Sequence, residues 1–374
     1  MQKRPRIVHV YKDVWPPVEG GIERIIHHLA RLSVDAFEPV VLVAARSWRG
    51  AERELAPGVR VIEVPSLGRA LSTPLAPGFV TALRRVRADL FHFHIPHPTG
   101  EMAYLLSGLA TPAVATYHSD VVRQRLAMVA YAPFFQRFLS RMRVIMPTSQ
   151  RYLETSEPLA AHRARCRVVP LGYPLEDYEA TPEVERRAAE LRARHGDFVL
   201  FLGCLRAYKG LEFLLRALER LPGVKAVIAG EGAQGPALKQ LAGELGLEGR
   251  VHFPGRVAQP EALALLHGAA LFVLPACQRS EAFGLCQIEA MACGLPVIST
   301  DLPTGVPEVN RHGVSGLIVP PGDPAALAQA INELLNNVSL RRQLGEAGRR
   351  RARELYRAER MAAAVAAVYR EVLG

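Results

Sequence analysis

The chain has 374 residues, of which 49% are hydrophobic and 22% charged, and its formal net charge is +10. That length predicts two domains with a sizeable core each, and the composition excludes a disordered chain. Five cysteines (Cys166, Cys204, Cys277, Cys286, Cys293), odd in number and without a C-x-x-C pair, argue for a reducing compartment rather than a disulfide framework.

In chain order the first candidate strand is Arg6–Tyr11. Its apolar run, Ile7 to Val10 behind a basic start, is too short for a secretory signal. A helix over Ile22–Ser33 follows, then strands at Pro39–Ala44 and Val59–Val64, a helix at Phe79–Val86, and strands at Leu90–His94 and Ala113–Thr116. The uncharged stretch Met102–Ser119 approaches bilayer length, but Gly108, Pro112 and His118 interrupt it, so no integral membrane segment is expected. Pro170–Tyr178 is rich in Pro and Gly, lacks periodicity and reads as a linker.

From Phe198 the alternation restarts. It runs Phe198–Gly203, Leu211–Leu221, Lys225–Ala229, Pro236–Leu245, Val251–Phe253, Pro260–Leu266, Leu271–Leu274, Ile288–Ala292 and Val297–Thr300. Strands alternating with helices predict the α/β class with parallel sheets covered on both faces. The expected architecture is two Rossmann-like, doubly wound domains facing a central cleft, over 1–172 and 173–355. The last helical stretch, Ala347–Leu373, is long enough for about 356–374 to cross back onto the first domain.

The charge is unevenly placed. Residues 1–172 carry 23 Lys and Arg against 13 Asp and Glu, whereas the remainder is balanced at 23 of each. Such asymmetry points to an anionic partner for the first half, either nucleic acid or an acidic membrane surface. Within it, Val122–Ile145 interleaves Arg123, Arg125, Arg137, Arg141 and Arg143 with Phe134, Phe135, Phe138, Leu139 and Met142. That is the composition of an interfacial helix, and equally of an ordinary amphipathic helix with a solvated arginine face. No nucleic-acid-binding signature accompanies it, so nucleic acid is not expected as a partner.

The densest motif is Arg279-Ser-Glu281-Ala282-Phe283-Gly284-Leu285, continuing through Glu289 to Gly294 and Pro296. It follows the strand Leu271–Leu274, at a carboxyl end where open parallel sheets bind ligands. Gly284 lies where a helix begins, so the amides of Phe283, Gly284 and Leu285 would face a phosphate. Glu289 sits among Ile288, Ala290 and Met291, where an unpaired carboxylate is expensive. Phosphate and carboxylates in one crevice suit a nucleotide sugar, whose hydroxyls the carboxylates can grip. A second motif, Gly203-Cys-Leu-Arg206-Ala-Tyr-Lys209-Gly210, places two cations three residues apart after a strand, as a diphosphate clamp requires.

Gly230-Glu231-Gly232-Ala-Gln-Gly235 matches the dinucleotide fingerprint G-x-G-x-x-G, but the next strand ends His252-Phe253-Pro254-Gly255 without the acidic residue that NAD needs. A phosphate- or base-facing loop is the better reading. Gly20-Gly21 opens a helix and offers an anion site in the first half. His92, His94 and His97, with His118 and Asp120, gather ligand-type side chains. Their spacing is not a zinc pattern, and Pro96 and Pro98 break any helix, so no metal is expected.

Taken in order, these motifs resemble retaining glycosyltransferases of family 4, which have the GT-B fold, over nearly the whole chain. The marks are Gly20–Glu23, Thr116-Tyr-His-Ser-Asp120, Pro147-Thr-Ser149, Val169-Pro-Leu-Gly172, Gly203-x-x-Arg206-x-x-Lys209-Gly210, Gly230-Glu-Gly232, the E-x7-E pair Glu281 and Glu289, Gly294-x-Pro-Val297 and Gly313-Val-Ser-Gly316. The Tyr-His-Ser-Asp stretch, the run from Arg279 and Thr304–Asn310 are most similar to bacterial mannosyltransferases of cell-surface polysaccharide synthesis.

The resemblance implies that Arg206 and Lys209 hold the donor diphosphate, with Gly20, Gly21, Gly203, Gly230 and Glu231 around the donor. It implies that Glu289 grips the ribose, and that Glu281 with residues Ala282 to Leu285 holds the transferred sugar and distal phosphate. His118 would contact a sugar hydroxyl near the anomeric carbon, with Asp120 beside it. It further implies a cytoplasmic enzyme that needs no divalent metal, with GDP-mannose or a UDP-hexose as donor. The acceptor would be a glycan or a lipid-linked sugar, met by a basic first domain resting peripherally on the inner face of the plasma membrane. A sugar-nucleotide epimerase of the same fold and a non-catalytic nucleotide-sugar-binding scaffold are the rival readings. The order of Arg206 and Lys209 before E-x7-E weighs against the first, and the intact charged set against the second.

Overall fold

The structure, a computed structural model, describes residues 4–70, 73–120 and 125–374, and the side chains of all of these except 125–129. The chain divides into two compact units, unit 1 (Met1–Tyr173 with Ala358–Gly374) and unit 2 (Pro174–Arg357).

Unit 1 runs β1 (Arg6–Val10), α1 (Gly21–Ser33), β2 (Glu38–Ala44), β3 (Ala51–Ala56), β4 (Val59–Val64), the short pair β5 (Arg69–Ala70) and β6 (Thr73–Pro74), α2 (Phe79–Arg85), β7 (Leu90–Ile95), α3 (Pro98–Ser107), β8 (Ala113–Tyr117), α4 (Arg125–Arg141), β9 (Val144–Pro147) and α5 (Gln150–Thr155). Its seven-stranded sheet has the order β3-β4-β2-β1-β7-β8-β9. All neighbours are parallel except β3, which pairs antiparallel with β4. The Val, Ile and Phe runs of β1, β2, β7 and β8 are buried on both faces, as parallel sheets covered by helices require. The strand order reverses between β1 and β7, a switch point of the kind at whose carboxyl ends open parallel sheets bind ligands.

Unit 2 continues with α6 (Pro182–His195), β10 (Val199–Leu202), α7 (Leu211–Glu219), β11 (Ala226–Ala229), α8 (Gly235–Glu244), β12 (Val251–Gly255), α9 (Gln259–Gly268), β13 (Leu271–Leu274), α10 (Leu285–Ala292), β14 (Val297–Thr300), α11 (Val306–Val309), β15 (Gly316–Val319), α12 (Pro324–Asn336) and α13 (Val338–Leu355). The last helix, α14 (Ala358–Leu373), belongs to unit 1, where it packs on α1. The second sheet is wholly parallel, in the order β12-β11-β10-β13-β14-β15, with its switch point between β10 and β13.

Three local expectations are corrected. Pro96 and Pro98 do not exclude a helix: α3 begins at Pro98, because the first helical position needs no N–H donor and favours the fixed φ of proline. The stretch Ala347–Leu373 is not one helix but the end of α13 and the whole of α14, parted at Tyr356 and Arg357. There the Tyr356 hydroxyl donates to the Glu308 carbonyl, and the Ala358 N–H donates to the Tyr173 carbonyl at 2.9 Å. Val122–Ile145 is also divided, since α4 ends at Arg141 and Val144 opens β9.

Candidate active site

In unit 2 the two loops singled out by sequence lie at the β10/β13 switch point. The first follows β10, where Arg206 precedes a single 3-10 turn, Ala207–Lys209. Gly210 then takes a left-handed conformation (φ 66°) beneath the carbonyl of Pro275, an approach that a Cβ would block. The Cys277 N–H donates to the Tyr208 carbonyl at 2.9 Å, tying this loop to the one that follows β13. Across the junction the Lys209 ammonium forms an ion pair with the Glu281 carboxylate, each side chain 10% exposed. Burial alone would depress the Lys209 pKa, but the adjoining carboxylate outweighs it and holds the ammonium above its ordinary range. Lys209 therefore stays charged. Arg206 stands exposed at the mouth of the same loop.

Gly284 sits at the N-cap of α10 in the left-handed region (φ 76°), and a Cβ there would meet the Gln287 amide and Leu274. Phe283 and Ala282 are buried below it, Phe283 edge-on to Tyr356. The first N–H groups of α10 have no partner within the helix and carry its positive dipole end, a geometry suited to phosphate. One turn on, Oε1 of Glu289 accepts a 2.8 Å hydrogen bond from the Tyr178 hydroxyl. Tyr178 lies in the Pro- and Gly-rich linker stretch, where no sequence motif marks it. The signal for it is the half-buried setting of Glu289 among apolar neighbours, which favours a hydrogen-bond donor.

The third glycine motif has a packing explanation. A Cβ on Gly230 would collide with the Gly203 carbonyl oxygen, and one on Gly232 with that of Leu205. The Leu205 N–H also donates to the Glu231 carbonyl at 2.9 Å, while the Glu231 side chain is exposed. These glycines let the loops after β10 and β11 lie backbone against backbone.

In unit 1 the helix start at Gly20 and Gly21 is met by the chain's own carboxylate. Glu23, three residues into the motif and buried, turns back so that its side chain occupies the place a Gly20 Cβ would take. A glutamate at this position answers helix N-terminal amides, as in a capping box. Asp120 is similarly engaged: Oδ1 accepts from the Tyr117 hydroxyl (2.7 Å) and the Ser156 hydroxyl (2.8 Å), and its N–H donates to the Tyr152 hydroxyl.

His118 lies just past β8, where its N–H donates to the Ile95 carbonyl, and its imidazole joins a buried histidine layer. Nδ1 of His94 is 3.1 Å from Nε2 of His118, and Nε2 of His94 is 3.1 Å from Nδ1 of His9. His92 bonds Tyr369 Oη (2.6 Å) and Thr116 Oγ1 (2.7 Å). Burial pushes His9 and His118 down to about 3, and His92 and His94 well below the ordinary histidine range. Nitrogens of His9, His92 and His94 lie within 4.8 Å of one another, the spacing of a metal-ligand group. Both nitrogens of His92 and of His94 are, however, already engaged with the partners just given. His97, buried beside Tyr11 and Phe79, stands outside this layer.

Among the described side chains, the larger apolar residues of the arginine-aromatic segment mostly face the core. Phe135, Phe138, Leu139 and Met142 are buried, Phe138 edge-on to Phe93 and Tyr104, and of the named apolar residues Phe134 alone is exposed, at 48%. The core claims these apolar side chains. Arg137, Arg141 and Arg143 are exposed, with Arg141 over the Tyr104 ring. Arg123 and the side chain of Arg125 lie outside the described residues. Among the described residues no helix is long and apolar enough to cross a membrane.

The architecture is that of GT-B proteins. Sucrose-phosphate synthase from Thermosynechococcus elongatus superposes with a TM-score of 0.84 at 22% identity, over 98% of this chain and 99% of that one. Residues 19–177 match the family described as Glycosyltransferase Family 4, and residues 184–351 match Glycosyl transferases group 1. The D-rhamnosyltransferase WbpZ of Pseudomonas aeruginosa is 34% identical over 94% of this chain and 92% of its own length. The O-antigen chain mannosyltransferase C of Escherichia coli is 33% identical over 98% and 99%. The chain belongs to the family 4 glycosyltransferases, and it is an enzyme of that class.

Proposed function

We propose that the protein transfers mannose from GDP-mannose, with retention and without a divalent metal, to a glycan or lipid-linked acceptor in bacterial cell-surface polysaccharide or glycolipid synthesis. The observation that carries the reading is the cationic and acidic pair, Lys209 and Glu281, buried beside the α10 N-terminus at the β10/β13 switch point. The likeness to the O-antigen mannosyltransferase over nearly the full length of both chains favours mannose.

In this reading Arg206 and Lys209 bind the donor diphosphate and stabilise it as it leaves, doing with fixed cations what a divalent ion does elsewhere. The α10 amides from Phe283 to Leu285 take the distal phosphate. Glu281 bridges Lys209 and the sugar hydroxyls, and Glu289, oriented by Tyr178, takes the ribose. His118 meets a sugar hydroxyl near the anomeric carbon. The bond from that carbon to the diphosphate oxygen breaks through an oxocarbenium-like state. The acceptor oxygen bonds on the same face, and the departing phosphate oxygen takes its proton. Arg137, Arg141 and Arg143 give unit 1 an exposed cationic strip, which supports peripheral attachment to an anionic membrane by charge.

Calorimetric titration with GDP, UDP, GDP-mannose and UDP-glucose in EDTA tests the donor, followed by transfer assays with the nucleotide that binds. Preference for the guanine series and transfer of mannose support the proposal. Preference for the uracil series makes the enzyme a UDP-hexose transferase, and binding of none overturns the donor-site assignment.

A further inference from the structure

Three imidazoles from three neighbouring strands form one chain: His9 on β1, His94 on β7 and His118 just after β8. The links are His9 Nδ1 to His94 Nε2 and His94 Nδ1 to His118 Nε2, both 3.1 Å, with each linked pair of rings stacked. The terminal nitrogens, His9 Nε2 and His118 Nδ1, are buried and have no hydrogen-bond partner among the described residues. His92 stands apart from the chain, saturated by Tyr369 and Thr116.

Burial keeps all three rings neutral at pH 7, so each carries one N–H. The middle ring must then donate on one side and accept on the other. Only two proton arrangements make both hydrogen bonds. In one, donors run from His9 to His118 and leave an N–H on His118 Nδ1. In the other they run back and leave an N–H on His9 Nε2. In the free protein either arrangement leaves one buried N–H without a partner among the described residues. A sugar oxygen beside His118 would receive the proton of the first, whereas nothing beside the fully buried His9 receives that of the second, and an orphaned buried donor is costlier than a bare acceptor. Donor binding therefore selects the first arrangement.

We propose that His94, held by His9, is a positioning residue that fixes His118 as the Nδ1–H tautomer, so that His118 donates a hydrogen bond to an oxygen of the transferred sugar. The proposal rests on the reading of His118 as a sugar contact, while the hydrogen bonds that link the three rings do not. Removing His94 frees His118 Nε2 to take the proton and leaves the donor at the wrong nitrogen.

The test uses the full-length protein with histidines labelled by 15N, the His118 resonances being assigned by loss in His118→Gln. With the preferred nucleotide sugar bound, the expected wild-type spectrum has the proton on Nδ1 of His118; a proton on Nε2 overturns the proposal without any variant of His94. In His94→Phe the proton should move to Nε2, and kcat should fall about tenfold or more while donor KM is unchanged. His94→Gln, whose amide both donates and accepts, should restore the Nδ1–H form and most of kcat. If His94→Phe leaves the tautomer and kcat unaltered, His94 positions nothing. If His118→Gln retains full kcat, the sugar-contact reading fails even where the tautomer is as described.

Discussion

The ammonium of Lys209 and the carboxylate of Glu281, 72 positions apart in sequence, form an ion pair with both side chains 10% exposed. Removing one partner strands a nearly buried charge, which costs about 3 kcal/mol, whereas removing both costs much less. Lys209→Met and Glu281→Gln should each lower stability by that amount in urea denaturation, and the double variant should recover most of it. Donor binding should be lost in both variants that lack Lys209. Additive stability losses would mean the pair is not coupled.

The histidine layer makes unit 1 acid-sensitive. His9 and His118 titrate at about 3 in the folded chain and His92 and His94 are also depressed, against 6.5 for an unperturbed imidazole. Their contribution is complete above pH 6.5, where folded and unfolded forms alike are neutral. As pH falls below that value the unfolded chain takes up protons that the folded one refuses, and stability declines by roughly 1.4 kcal/mol per pH unit for each ring. Urea midpoints should therefore drop steeply between pH 7 and pH 5. A flat profile over that range would show the rings are accessible to protons in the folded state.

Gly230→Ala or Gly232→Ala should destabilise unit 2 by about 2–4 kcal/mol, because each new methyl meets a backbone carbonyl rather than a mobile side chain. Gly235→Ala, whose methyl would lie 3.6 Å from Leu205 Cδ1, should be nearly neutral. Thermal unfolding of the three variants separates this packing role from a ligand-facing one, which would spare stability in all of them.

Tyr178→Phe removes the 2.8 Å hydrogen bond to Glu289 and keeps the ring. Nucleoside diphosphate affinity should weaken by about fivefold to tenfold while kcat holds, the size of one ordinary net hydrogen bond, since Tyr178 acts on the ligand through Glu289. Calorimetry with the preferred nucleotide checks the first part, and steady-state transfer the second.

The buried strands were legible because a parallel sheet covered on both faces demands continuous apolar runs, as in Pro39–Ala44 and Leu271–Leu274. The edge strand Ala51–Ala56 was not, since Glu52, Arg53 and Glu54 on an open, antiparallel edge carry no such pattern. β9 was hidden because the apolar pattern of α4 runs into it with two residues between them. The loops after β10 and β13 announced themselves by glycine beside charge. Tyr178 and His9 could not, because what defines them is a partner 111 residues away for one and 85 for the other. Sequence spacing reports which groups a loop holds, and tertiary pairing decides which of their atoms are spoken for.

The placement of α14 bears on how the protein is made. The sheet of unit 1 is complete by Pro147, but its covering helix emerges from the ribosome only after all of Pro174–Arg357 has been translated. At about 5–20 residues per second that interval is roughly ten to forty seconds. Throughout it, Phe37 and His92 lack the Tyr369 ring that packs on both, and the side of α1 that meets α14 is open. Unit 2 can therefore finish folding first, although it is synthesised second, and the nascent first unit is the part a chaperone would have to shelter.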